Sequence, residues 1–181
     1  YMEGLENLDL QRFLIGFASA SHHVESKLDN DWSTWLEKNA QRLADNPVFS
    51  VNQDFIPESH KKKKRLRSNY LLKNIIDHQR DYLLDFDLMK DLGCNAYRFS
   101  LEWSRIEPER GVFSQSAIDY YLKYIHDLRR RNIEPVVTLW HFTLPNWVSD
   151  LGGWENRATI GYFMDFVKKV EKVFSPYVRF W

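Results

Sequence analysis

Two stretches of the chain gather side chains able to do chemistry. Tyr97-Arg98-Phe99-Ser100-Leu101-Glu102-Trp103-Ser104-Arg105 places a guanidinium, a hydroxyl and a carboxyl at every second position, and Thr138-Leu139-Trp140-His141-Phe142-Thr143-Leu144-Pro145-Asn146-Trp147 sets an imidazole among aromatic rings. Side chains alternate sides along an extended strand, so Arg98, Ser100 and Glu102 are expected on one face and Tyr97, Phe99 and Leu101 on the other. On the second stretch the same rule groups Val137, Leu139 and His141. An arginine on an enclosed face needs an anion. Glu102, a carboxylate from another strand and a bound substrate all remain open as its partner, as does a purely structural ion pair. Around His141, the rings of Trp140, Phe142 and Trp147 offer flat apolar faces beside hydrogen-bonding groups. Sugars use that combination, because their C–H faces stack on rings and their hydroxyls need paired donors and acceptors.

Other chemistries find less support. The six histidines are scattered, and His22 and His23, being adjacent, would point to opposite sides of a strand, so no metal site is expected. No Gly-x-Ser-x-Gly turn is present, and the single Cys94 lies ahead of its strand, reads as a small buried hydrophobe and allows no internal disulfide. Glycine-rich phosphate loops are missing too, so no cofactor is expected. Glycoside hydrolysis needs two carboxyl groups flanking the scissile bond, roughly 5 Å apart for retention. These stretches do not assemble such a pair.

The elements that must position these residues can be read from periodicity. Strand-like runs cover Phe13 to Ser19, Ala96 to Leu101 and Pro135 to Trp140, with another starting near Val178. Between them, Ser114 to Arg131 carries Ile118, Tyr121, Leu122, Ile125 and Leu128 on one face, and Asn156 to Phe174 carries Ile160, Phe163, Phe166, Val167, Val170 and Phe174. Ser114 and Asn156 are the expected N-caps. A helix over Asp81 to Asp91 is expected to pack Leu84, Leu88 and Leu92 toward the next strand. Strand and helix alternate at a spacing of roughly forty residues, as parallel βα units do, and a barrel suits the chain better than a nucleotide-binding open sheet. In a barrel the reactive groups sit after the carboxyl ends of the strands, where Glu102, Trp103, His141 and Phe142 fall.

Composition bounds the setting. Of 181 residues 44% are hydrophobic and 28% charged, with Lys plus Arg matching Asp plus Glu at 25 each, so no global field attracts nucleic acid or an anionic membrane. The run Lys61-Lys62-Lys63-Lys64-Arg65-Leu66-Arg67, inside an expected insertion around 45–77, reads as a solvated loop. No stretch of about 18 apolar residues and no charged-then-apolar leader is visible, so a cytoplasmic protein without membrane or nucleic-acid partner is expected.

The ordered motifs resemble the N-terminal part of family 1 glycoside hydrolases, the β-glucosidase and β-galactosidase group. Phe13-Leu14-Ile15-Gly16-Phe17-Ala18-Ser19-Ala20-Ser21-His22-His23-Val24-Glu25 is similar to the family's first-strand signature, and Asn30-Asp31-Trp32-Ser33 with Trp35 to the segment after that strand in some members. Tyr97 to Arg105 with Ile106 and Pro108 matches the second strand, and Thr138 to Pro145 with Gly152-Gly153-Trp154 the third strand and its loop. The resemblance implies an α/β fold, a (β/α)8 TIM barrel of which residues 1–181 hold the first three βα units and the start of the fourth strand. It implies a retaining β-glycosidase acting on a β-linked glycoside or oligosaccharide. His23 takes the place of the family's glycone-binding glutamine, and His141 matches the histidine on the same sugar ring. Phe142 stands where many members have tryptophan. Arg98 matches the arginine beside the nucleophilic glutamate. The acid/base glutamate, in a Thr-x-Asn-Glu-Pro motif on the fourth strand, and the nucleophile on the seventh are expected beyond Trp181. The chain alone is therefore expected to hold sugar without hydrolysing it, and to need the rest of the barrel or a partner chain. The alternative is a non-catalytic carbohydrate-binding or interaction protein derived from a truncated barrel.

Overall fold

Three parallel strands in sequence order form the sheet of the computed structural model, which describes residues 13–45, 66–71 and 77–181. Strand β1 (Gly16–Ala18) leads through a one-turn helix α1 (Ser21–Val24) into the long helix α2 (Asp31–Asp45), and a 3-10 turn covers Arg67–Tyr70. Helix α3 (His78–Asp91) returns the chain to β2 (Ala96–Ser100), followed by the short helix α4 (Trp103–Ile106) and helix α5 (Gln115–Arg130). After β3 (Glu134–Thr138) come α6 (Asn146–Asp150), a 3-10 turn at Gly153–Glu155 and α7 (Thr159–Phe174). The register runs from Gly16↔Ala96 to Ala18↔Arg98 and from Ala96↔Glu134 to Ser100↔Thr138. Phe180 adds a parallel bridge to Val136, so the run near Val178 starts a further strand beside β3. The lysine run Lys61 to Arg65 lies outside the described residues.

Close pairing of β1 with β2 explains Gly16. A Cβ at this position would lie 1.6 Å from the Ala96 carbonyl oxygen, so any side chain would force the two backbones apart.

Between the sheet and its helices lies an aromatic core in which Tyr97, Phe99 and Val137 meet Tyr82, Phe86, Tyr124, Ile125 and Leu128. Phe99 and Val137 are register partners and therefore face the same way, toward the ring of Tyr124, 4.8 Å from that of Phe99. Buried His78 stitches this layer, with Nδ1 2.6 Å from Asp85 Oδ2 and Nε2 2.6 Å from the Tyr124 hydroxyl. Helix α5 starts as expected, with Ser114 Oγ accepting from the Ala117 N–H at 3.3 Å.

Several expectations are corrected. Helix α3 does not turn its leucines inward: Leu84, Leu88 and Leu92 are 71%, 59% and 62% exposed, while His78, Tyr82, Phe86 and Met89 are buried. Both stripes have helical spacing, and the aromatic one wins because it fits the rings of Tyr97 and Tyr124. Asn156 does not cap α7, which begins at Thr159; its side chain instead accepts from the Ala158 N–H at 3.0 Å in a turn just ahead of the helix. Ile160, the second residue of α7, is exposed rather than packed with Phe166, Val170 and Phe174.

Candidate functional site

The carboxyl ends of β1, β2 and β3 open on one rim, and the loops leaving them carry the residues singled out by the sequence. Arg98 lies on the sheet face opposite the aromatic core, and its Nη1 donates to His141 Nδ1 at 3.4 Å. With Nδ1 accepting, His141 carries its proton on Nε2 and presents that N–H as a donor. Burial first, then the charges of Arg98 and His23, lower the His141 pKa below the usual imidazole value, so the ring is neutral at neutral pH. His23 meets it edge to face with ring centroids 6.1 Å apart. Phe142, 66% exposed, follows with its ring 4.9 Å from His141. Arg98, His141, His23 and Phe142 therefore stand together on one wall. Among the described residues Arg98 has no carboxylate partner.

His141 reaches this place by a route that strand alternation does not give. Val137 faces the helices, so uninterrupted alternation would bury His141 beside it. Regular pairing stops at Thr138, and the chain bends through Leu139 into a tight turn closed by the Thr143 N–H on the His141 carbonyl at 3.0 Å. In that turn Phe142 adopts a left-handed φ of 71°. His22 and His23 are corrected likewise: they lie in α1, not on a strand, with His22 buried and His23 exposed.

Glu102 does not answer Arg98. It is fully buried and, among the described residues, accepts only from neutral groups: Ser21 Oγ at 2.7 Å, Ser104 Oγ at 2.8 Å, Asn30 Nδ2 at 3.2 Å and Thr143 Oγ1 at 3.2 Å. Asn30 Nδ2 also lies 3.3 Å from His22 Nδ1. These neighbours come from three separate loops, which is why the sequence pattern around Glu102 alone does not find them. Glu25, buried behind this cluster, contacts Arg105 Nε at 3.0 Å and accepts from the Tyr121 hydroxyl at 2.9 Å. Beyond His22, Trp32 and Trp35 line a cavity of about 430 Å³ with Asp31 and Ser149.

Known proteins resemble this chain in sequence and in fold. The family model described as glycosyl hydrolase family 1 matches residues 11–181. β-Glucosidase A of Acetivibrio thermocellus is 38% identical over 106 residues, covering 58% of this chain and 24% of that protein. Among solved structures, a family 1 β-glucosidase from Thermotoga maritima superposes with a TM-score of 0.73 at 28% identity, covering 93% of this chain and 34% of that one. An aphid myrosinase gives a TM-score of 0.74 at 26% identity, again over 93% of this chain and 33% of the other. The chain thus spans about a third of the length of these solved relatives. Their fold is a (β/α)8 barrel, of which the three strands and their helices make the first part. A family match taking in the Arg98 strand and both histidine-bearing loops, on a fold shared over 93% of the chain, means that this chain belongs to glycosyl hydrolase family 1.

Proposed function

We propose that this chain forms the sugar-holding wall of a retaining β-glycosidase. The observation that carries the reading is the meeting of Arg98, His141 and His23 at one rim, with the Phe142 ring beside them. His141 offers an N–H donor, His23 adds a second imidazole able to donate or accept, and Phe142 supplies an apolar edge for the pyranose C–H face. Arg98 is the electrostatic element. Its guanidinium is placed to hold a nucleophilic carboxylate ionised from the next wall of the barrel.

In this reading one glutamate attacks the anomeric carbon while a second, protonated glutamic acid gives its proton to the departing oxygen. Water, deprotonated by that second residue, then displaces the first and frees the sugar. Both reacting residues are assigned to parts of the barrel beyond these 181 residues. Glu102 is unsuited to either part, because a fully enclosed carboxylate cannot touch a glycosidic bond. The name β-glucosidase among the relatives supports a β-linked glycoside as substrate.

Titration of the chain with phenyl β-D-thioglucoside, which resists hydrolysis, tests the reading. His23→Ala and His141→Ala are each expected to weaken binding about tenfold, the loss of one net hydrogen bond of about 1.4 kcal/mol. Equal affinity in both variants and the parent would sink the assignment.

A further inference from the structure

Glu102 has no part in the sugar contacts of the rim, yet a carboxylate enclosed without a cation is among the costlier things a protein can bury. Its neighbours show what it gains. Ser21 opens α1, Asn30 immediately precedes α2, Ser104 belongs to α4 and Thr143 lies two residues beyond His141. Each sends a hydrogen to Glu102. An ionised carboxylate accepts in every direction, so it can gather donors from separate loops without choosing among them.

The Asn30 amide transmits this choice. Its Oδ1 accepts from the Ser33 N–H at 2.9 Å, which fixes the amide's orientation, and its Nδ2 is shared between Glu102 Oε1 and His22 Nδ1. His22 Nδ1 is therefore an acceptor and the ring keeps its proton on Nε2. Burial lowers the His22 pKa and favours the same neutral form. His22 is the immediate neighbour of His23 in α1. On the other side, Thr143 closes the turn onto the His141 carbonyl and anchors that turn to the same carboxylate.

We infer that Glu102 is a positioning residue for sugar recognition, hanging the loops of His23 and His141 from a single buried acceptor so that the two rings stay in register. The inference rests on the sugar-site reading proposed for this wall and adds the group that sets the spacing of its two imidazoles. It also says what glutamine would change. A glutamine that kept its oxygen toward Asn30 and Ser104 would aim its N–H hydrogens at Ser21 and Thr143, whose hydroxyls must turn round to accept, and every bond to the cluster would lose its charge assistance, including those to Asn30 and to the turn of His141.

The test is Glu102→Gln in the 181-residue chain, titrated with phenyl β-D-thioglucoside and followed by nitrogen NMR of the histidine rings. The variant is expected to bind at least fivefold more weakly, to shift the His22 Nδ1 resonance and to alter the His23 and His141 signals. A role limited to stability would leave those ring signals in place in the folded variant. Parent affinity, or weakened binding with all three rings unperturbed, overturns the inference while leaving the sugar site intact. Failure of the parent chain to bind the thioglucoside overturns both. If Glu102→Gln does not fold, Thr143→Val removes one donor at constant shape and is expected to weaken binding about threefold with a shifted His141 ring; unchanged binding there overturns the inference equally.

Discussion

Trp103→Ala is expected to lower the stability of the chain by about 3–5 kcal/mol, with the melting midpoint falling by roughly 10 °C. The indole is 1% exposed and is packed on every side: stacked on Phe166 at 5.3 Å, edge-on to Trp147 at 6.1 Å and tilted against Phe163 at 5.5 Å. Its Nε1 donates to Glu107 Oε2 at 2.8 Å. Truncation leaves both a cavity and a buried carboxyl with one donor fewer. Burial already raises the Glu107 pKa, opposed by the Trp103 and Gly111 hydrogen bonds, so losing the indole raises it further. Trp103→Phe, which keeps most of the ring contacts and drops the N–H, separates the two contributions. Thermal unfolding followed by circular dichroism makes the measurement, and an alanine variant melting within a degree of the parent would contradict the packing described.

Loss of the Arg105 guanidinium is expected to destabilise the fold by about 3–5 kcal/mol at pH 8 and by much less at pH 5. The difference comes from Glu25. Burial pushes its carboxyl up to about 7, against the opposing pull of Arg105 and the Tyr121 hydroxyl. The folded pKa lies above the ordinary value of 4.5, so between about 4.5 and 7 the folded chain holds this proton more tightly than the unfolded chain. Stability contributed by Glu25 is therefore complete below that window and falls as pH rises through it, by on the order of 3 kcal/mol. Glu25→Gln should flatten this part of the stability curve relative to the parent. At pH 8 the carboxylate is charged and depends on Arg105, whereas at pH 5 it is neutral and the guanidinium matters less. An Arg105→Met variant destabilised equally at both pH values would refute this account.

How far the chain could be read depended on whether the information was local. The three strands, the cap at Ser114 and the apolar faces of α5 and most of α7 are local matters of period and hydrogen-bonding reach, and they were legible. Arg98 was legible too, because alternation along β2 persists up to Ser100. His141 was placed at the rim for a reason that does not hold: Val137 faces the helices, and only the bend after Thr138 carries the imidazole to the mouth. The choice between the two stripes of α3 could not be made from one helix, since it is settled by the rings of Tyr97 and Tyr124 across the core. Glu102 shows the same limit most clearly. Its partners Ser21 and Asn30 precede it by 81 and 72 residues, and Thr143 follows by 41, so nothing near it in the chain announces them.

The left-handed backbone at Phe142 has a consequence for how variants of this chain would fare under selection. A residue with a Cβ is held there at an expense of about 1 kcal/mol, which glycine would relieve at once. A library sorted only for heat resistance would drift toward glycine at 142 and discard the ring. If Phe142 holds the sugar as proposed, one sorted for retention on a saccharide column would keep the aromatic and tolerate the strain. The residue found at this position would thus record which of the two pressures a lineage had met.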